Sequence, residues 1–172
     1  MNTSIVLTVI ADDQPGIIKM VSEVLDNHRG SWTQSSMSSL AGQFAGILLV
    51  SVPAANADAC VEELHGLESV GLRIIAHVST SAPGLGETHE YILNLVGNDR
   101  KGIVHDVTTV LANHSVNVNN LETVVESASM GGGELFKASA QLIVPASADI
   151  DALESGLEEL ANELMVDIIF KK

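Results

Sequence analysis

The sequence predicts an α+β chain made of two tandem ferredoxin-like units. Each unit has the order β-α-β-β-α-β, with an antiparallel four-stranded sheet carrying two helices on one face. Three observations carry this prediction. The chain repeats itself at half its length. Each copy runs through the same succession of strand-like and helix-like hydrophobic periods. A short Pro/Gly/Ser segment lies between the copies.

The repeat shows best where Asp12–His28 is laid over Asn98–His114, an offset of 86 with no gap. Eight of the seventeen positions are identical: Asp13/Asp99, Gly16/Gly102, Ile17/Ile103, Val21/Val107, Val24/Val110, Leu25/Leu111, Asn27/Asn113 and His28/His114. Further on, Phe44–Pro53 answers Phe136–Pro145 at an offset of 92, so the second copy carries about six extra residues between the two matches. A period of half the chain indicates a duplicated domain, not a solenoid.

In the first copy, Ile5 to Ile10 is a β-branched run and reads as a strand. Asp12 to Gly16 holds Pro15-Gly16 and reads as a turn. Ile17, Ile18, Val21, Val24, Leu25 and His28 then fall on one helical stripe, and Gly30 is the expected helix stop. Ser31 to Leu40 reads as a polar strand, turned by Ala41-Gly42 into the apolar strand Phe44 to Val52, which Pro53 closes. Cys60, Val61, Leu64 and Leu67 mark a second helix ending near Gly71, and Leu72 to Val78 the last strand.

The second copy follows suit. Tyr91 to Val96 is the first strand, and Ile103, Val104, Val107, Val110 and Leu111 form the helix stripe. Val116 to Ser127 and Leu135 to Val144 form a hairpin with Gly131-Gly132-Gly133 near its tip. Ile150, Leu153, Leu157, Leu160 and Leu164 mark the second helix, and Val166 to Phe170 the last strand. Ser79 to Gly86 reads as connecting chain. The expected domains are 1–80 and 88–172, with a linker at 81–87.

Composition excludes several classes of function. Apolar residues are 46% of the chain, enough for real cores, while aromatics are only 3%, so Ile, Val, Leu and Ala must pack them. Twenty-two acidic side chains face eight basic ones, a formal charge of −14. Such a surface repels phosphate backbones and anionic membranes, so direct nucleic-acid or membrane binding is not expected. A single cysteine, Cys60, allows neither an internal disulfide nor a Cys-rich metal site. No basic side chain precedes the apolar run Ile5 to Ala11, and the longest apolar stretch, Phe44 to Val52, is too short to span a bilayer. The expected location is the cytoplasm.

The chemistry concentrates in the first strand-to-helix loop of each copy. Gly16 and Gly102 open a helix directly after a strand. First-turn N–H groups of a helix have no internal acceptor, and with the helix dipole they suit a carboxylate. Glycine there lets a ligand approach the backbone. Asp12, Asp13 or Asp99 would hold an α-ammonium group, so one loop has complements for both ends of a free amino acid. The plainer alternative is that the glycine serves the turn and an aspartate caps the helix. His28 and His114 sit at equivalent helix ends, where a structural role is expected. Cys60 lies on an apolar stripe and reads as core. Trp32 lies on the hairpin, covering either a sheet face or an interface. Glu62-Glu63 and Glu158-Glu159 read as solvated helix faces. No hydrolase or metalloprotease motif is present, the six histidines are scattered, and no cofactor or metal is implied.

The loops themselves carry a resemblance. Ala11-Asp12-Asp13-Gln14-Pro15-Gly16-Ile17-Ile18 and Gly97-Asn98-Asp99-Arg100-Lys101-Gly102-Ile103-Val104 resemble the D-R-P-G-I/L signature that opens the first helix of ACT domains, small regulatory modules that bind amino acids. Gln14 stands where that motif usually has Arg, and Lys101 where it usually has Pro. Val116-Asn117-Val118-Asn119-Asn120 resembles the strand start that follows the first helix in the same family. The whole chain is similar to the glycine cleavage system transcriptional repressor family, whose members are little more than two ACT domains.

That resemblance implies a non-enzymatic regulator with two amino-acid-sensing domains. It would bind a small amino acid, with glycine the one the resemblance suggests, and act on transcription through a partner regulator protein. The implied ligand residues are Asp12, Asp13, Gly16, Ile17, Asn98, Asp99, Gly102, Ile103, Asn117 and Asn119, at the junction with a neighbouring sheet. The second copy is favoured, because it has Asn117, Asn119 and Asn120 where the first has Ser31, Thr33 and Gln34. Two alternatives stand beside this: an ACT-fold interaction module without ligand, and a regulatory subunit of an amino-acid metabolic enzyme. A homodimer is also expected.

Overall fold

The computed structural model describes residues 1–78, 86–129 and 132–172. The chain divides into two compact units, Met1–Pro83 and Gly84–Lys172. Most of the expected linker and Gly131 of the glycine run lie outside the described residues.

Unit 1 contains β1 (Asn2–Asp12), α1 (Ile17–Asn27), β2 (Ser31–Leu40), β3 (Gln43–Pro53), α2 (Ala57–Gly66) and β4 (Arg73–Val78). Short 3-10 turns at Ala54–Asn56 and Leu67–Val70 flank α2. Unit 2 repeats the order with β5 (Thr88–Asn98), α3 (Ile103–Asn113), β6 (Asn117–Ser127), β7 (Glu134–Pro145), α4 (Ile150–Leu164) and β8 (Val166–Lys171). Each unit forms one antiparallel sheet, in the order β2-β3-β1-β4 and β6-β7-β5-β8. This is the predicted α+β architecture, twice.

The pleat explains which side chains make the core. Ile5, Leu7, Val9 and Ala11 alternate along β1, and Leu48, Val50 and Val52 along β3; all are buried against α1 and α2. The helices answer with Ile17, Val21, Val24 and Leu25, and with Ala57, Cys60 and Leu64. Unit 2 buries Leu93, Leu95, Leu142 and Val144 beneath Ile103, Val107, Leu111, Leu153 and Leu157. Among the described residues neither core holds a charged or polar side chain.

Trp32 pairs with Val50 and packs on the helix side of the sheet, against the core of unit 1. Its Nε1 donates to Ser35 Oγ at 3.1 Å. The extra length of the second copy falls between the paired ends of its β6–β7 hairpin. In unit 1, Leu40 pairs with Gln43 across the two-residue turn Ala41-Gly42, both at positive φ. In unit 2, Ser127 pairs with Glu134, leaving a longer connection. No helix among the described residues is long and apolar enough to cross a membrane.

One helix stop differs from expectation. Arg29, not Gly30, adopts the left-handed conformation after α1 (φ +56°), as its twin Ser115 does after α3 (φ +59°). Gly30 serves a close approach instead. A Cβ there would lie 2.9 Å from Val52 Cγ1 and 3.0 Å from the Leu25 carbonyl oxygen.

Candidate functional site

The two loops close in the same way. Gly16 (φ +98°) and Gly102 (φ +96°) are the N-caps of α1 and α3, both in a positive-φ region that L side chains rarely adopt. Their carbonyl oxygens accept the first helical bonds, from Met20 N–H at 3.0 Å and Asp106 N–H at 2.9 Å. No side chain caps either helix. The plainer alternative, an aspartate capping the helix, is therefore not seen at either loop. The first-turn N–H groups beyond each glycine remain without a side-chain acceptor.

The aspartates of unit 1 are used elsewhere. Asp12 Oδ1 accepts from Gln43 Nε2 at 2.6 Å, and Asp13 Oδ2 accepts from Ser39 Oγ at 2.5 Å. The Asp13 N–H donates to the Gly42 carbonyl at 2.9 Å. The loop is thus laced to the β2–β3 hairpin turn. In unit 2 only the backbone tie is kept, with Asp99 N–H donating to the Glu134 carbonyl at 2.8 Å. Among the described residues the Asp99 carboxylate makes no hydrogen bond or ion pair, and it is exposed. Around Gly16 a Cβ would find nothing within 4 Å; at Gly102 it would find only Asp106 Oδ2, at 3.6 Å. Both glycines face open space, and Ile17 and Ile103 behind them are core.

Asn117 and Asn119 do not join this loop within their own unit. Asn98 pairs with Leu135 at one end of β7, while Asn117 pairs with Ile143 at the other. Eight residues of strand separate these ends, roughly 27 Å. The reason is topological: the chain turns at the loop, runs down α3 and starts β6 at the far end of the sheet. Asn119 is moreover the residue skipped at a bulge between Val118 and Asn120, matched by Thr33 in unit 1. The side chains that reach the loop of unit 1, Ser39 and Gln43, come from the ends of the hairpin strands. Their signal lay in the strand order β2-β3-β1, which brings the β2–β3 turn next to the end of β1.

At the opposite end of unit 1, His28 Nε2 donates to Glu63 Oε2 at 2.7 Å, and Asn27 Nδ2 donates to Glu63 Oε1 at 3.3 Å. Asn56 Nδ2 donates to the His28 carbonyl at 3.0 Å. The His28 hydrogen bond, then that of Asn27, holds the Glu63 carboxyl below its ordinary value. Glu63 is thus a helix-to-helix brace, not the plain solvated residue expected. Cys60 is buried, and that burial, with Glu63 nearby, pushes its thiol up.

A duplicated four-stranded β-α-β-β-α-β unit with an open glycine loop at the first helix defines a tandem ferredoxin-like protein. The chain belongs to the ACT domain family, whose sequence model matches residues 3–74 and 89–171. No curated protein matches the sequence. Among solved structures, the chain is similar to an unknown protein from Galdieria sulphuraria, with a TM-score of 0.89 and 30% identity over 99% of this chain and 98% of that one. It also shares its fold with a candidate glycine cleavage system transcriptional repressor, at a TM-score of 0.69 and 16% identity over 99% and 97% of the two chains.

Proposed function

We propose that this protein is a non-enzymatic regulator whose ACT domains sense a small amino acid and pass the response to a partner transcription regulator. The observation that carries the reading is the twin pair of uncapped helix starts behind exposed glycines. The ligand carboxylate meets the first-turn N–H groups after Gly16 or Gly102. That dipole term is worth about 0.3–1 kcal/mol, rising to about 2 when partly buried, so further contacts must supply the rest. The ammonium group falls to an aspartate. Unit 2 is the better site on this count, since Asp12 and Asp13 already accept bonds from Gln43 and Ser39 while Asp99 is uncommitted. The likeness to the candidate repressor supports a regulatory role and suggests glycine as the first ligand to try. The charge of −14 supports action through a protein, not through DNA contact.

A second reading, an interaction module without ligand, draws on the outer face of the unit 1 sheet. Ile10, Ile47 and Ile75 are exposed there. A thermal-shift screen of the twenty amino acids separates the two. A specific ligand raises the melting temperature with concentration by mass action, and a flat response across all twenty leaves the interaction module.

A further inference from the structure

The two units brace their helices differently. The ends of α1 and α3 carry the same pair, Asn27-His28 and Asn113-His114. In unit 1 this pair holds a carboxylate. His28 Nε2 and Asn27 Nδ2 both donate to Glu63 of α2, at 2.7 and 3.3 Å. The core residues of the second helices set the correspondence, since Cys60, Leu64 and Leu67 match Leu153, Leu157 and Leu160 at an offset of 93. At that offset Glu63 falls on Gly156. Unit 2 keeps both donors and lacks the carboxylate that they bind in unit 1.

In its place lies an open hollow between α3 and α4 of about 320 Å³, within the range of small-molecule sites, about 300–1,000 Å³. Asn113, His114, Glu159 and Glu163 bring polar groups to it. A Cβ on Gly156 would lie 3.9 Å from His114 Nε2, so the missing side chain opens the space directly at the imidazole. Among the described residues these four polar side chains make no hydrogen bond or ion pair, unlike their unit 1 twins Asn27 and His28. Gly156, Glu159 and Glu163 recur at i, i+3 and i+7, one face of α4. Glu159 thus stands roughly 4.5 Å further along the helix than Gly156. A lone anion at His114 would meet these two carboxylates in a chain of charge −14. A zwitterion would use them.

We infer that unit 2 has a second site for a small α-amino acid in this hollow. The α-carboxylate accepts from His114 and Asn113, as Glu63 does from their twins, and the α-ammonium donates to Glu159 and Glu163. The site lies at the other end of α3 from Gly102 and does not depend on the helix-start reading.

The test is NMR titration of the full chain with glycine, acetate and methylammonium, following the His114 ring. A His114→Gln variant assigns that ring among the six histidines. Glycine is expected to move the His114 signals saturably. Acetate and methylammonium should bind at least about tenfold more weakly, because each lacks one charge-assisted contact. Gly156→Glu copies Glu63 and supplies a tethered carboxylate, so the glycine response should vanish. Glu159→Gln with Glu163→Gln should remove the preference for glycine over acetate. Should one variant fail to fold by circular dichroism, the other decides. Acetate binding as tightly as glycine, an unmoved His114 ring, or an unchanged response in a folded variant overturns the hollow site. The backbone amides of Ile103 and Val104, read in the same titration, score the helix-start site separately.

Discussion

His28 and Glu63 join the end of α1 to the middle of α2 at 2.7 Å, while the twin histidine, His114, makes no hydrogen bond or ion pair among the described residues. The sequences of α1 and α3 are near copies there, so the difference comes from the second helix. In unit 2, Gly156, Glu159 and Glu163 of α4 share a hollow with His114, and none of them bonds it. Glu63→Ala is expected to loosen unit 1 alone. Trp32 and Tyr91, the one Trp and one Tyr of the chain, lie in different units and report them separately. The Trp32 fluorescence transition should fall to lower urea, while the Tyr91 signal stays.

The same brace sets a pH dependence. The folded Glu63 carboxyl lies below its ordinary 4.5, so its stabilisation is complete above that pH and fades as pH falls through the folded value. The gap between parent and Glu63→Ala in the Trp32 transition should therefore close on acidification below pH 4.5. A gap that widened there would contradict the assignment.

Gly16→Ala and Gly102→Ala test backbone strain without steric clash, because each Cβ meets open space or one flexible carboxylate. Forcing an L residue into this region costs about 1–2 kcal/mol. Each variant should lower only its own unit's transition by that amount. Gly102→Val should in addition weaken amino-acid binding, with Gly16→Val as the control for the other loop.

Gly46→Ala is a different kind of glycine change. Its Cβ would run into Met37 and the Ser36 carbonyl, 2.8 Å away. Overpacking of this sort costs about 1–3 kcal/mol. Met37→Ala in the same chain should restore part of the loss, read by the Trp32 transition as a double-mutant cycle.

Cys60 is fully buried with its thiol pushed up, so maleimide should label the native chain slowly and the urea-unfolded chain at once. Rapid labelling of the native protein would show that α2 opens far more readily than its packing implies.

Much of this protein was legible in its sequence. The offset of 86, the alternation of Ile5, Leu7 and Val9, and the helical stripe of Ile103, Val107 and Leu111 are local signals, set by pleat and helix period. They determined the two units, their element order and most of each core. The ACT-like loops around Gly16 and Gly102 were legible too, because a strand–glycine–helix junction is written in consecutive residues. What only the tertiary structure decided is which distant residues meet. Asn117 and Asn119 looked like partners of the loop, yet the crossover sends β6 to the other end of the sheet, and Ser39 and Gln43 arrive at the loop of unit 1 instead. Glu63 read as a solvated carboxylate until α1 and α2 packed side by side and set it against His28. The small apolar cavity under α3 exists because Val118 and Ala140 stand where unit 1 has Trp32 and Leu48. No one of those positions announces it alone, since a void is the joint volume of residues that only the fold assembles.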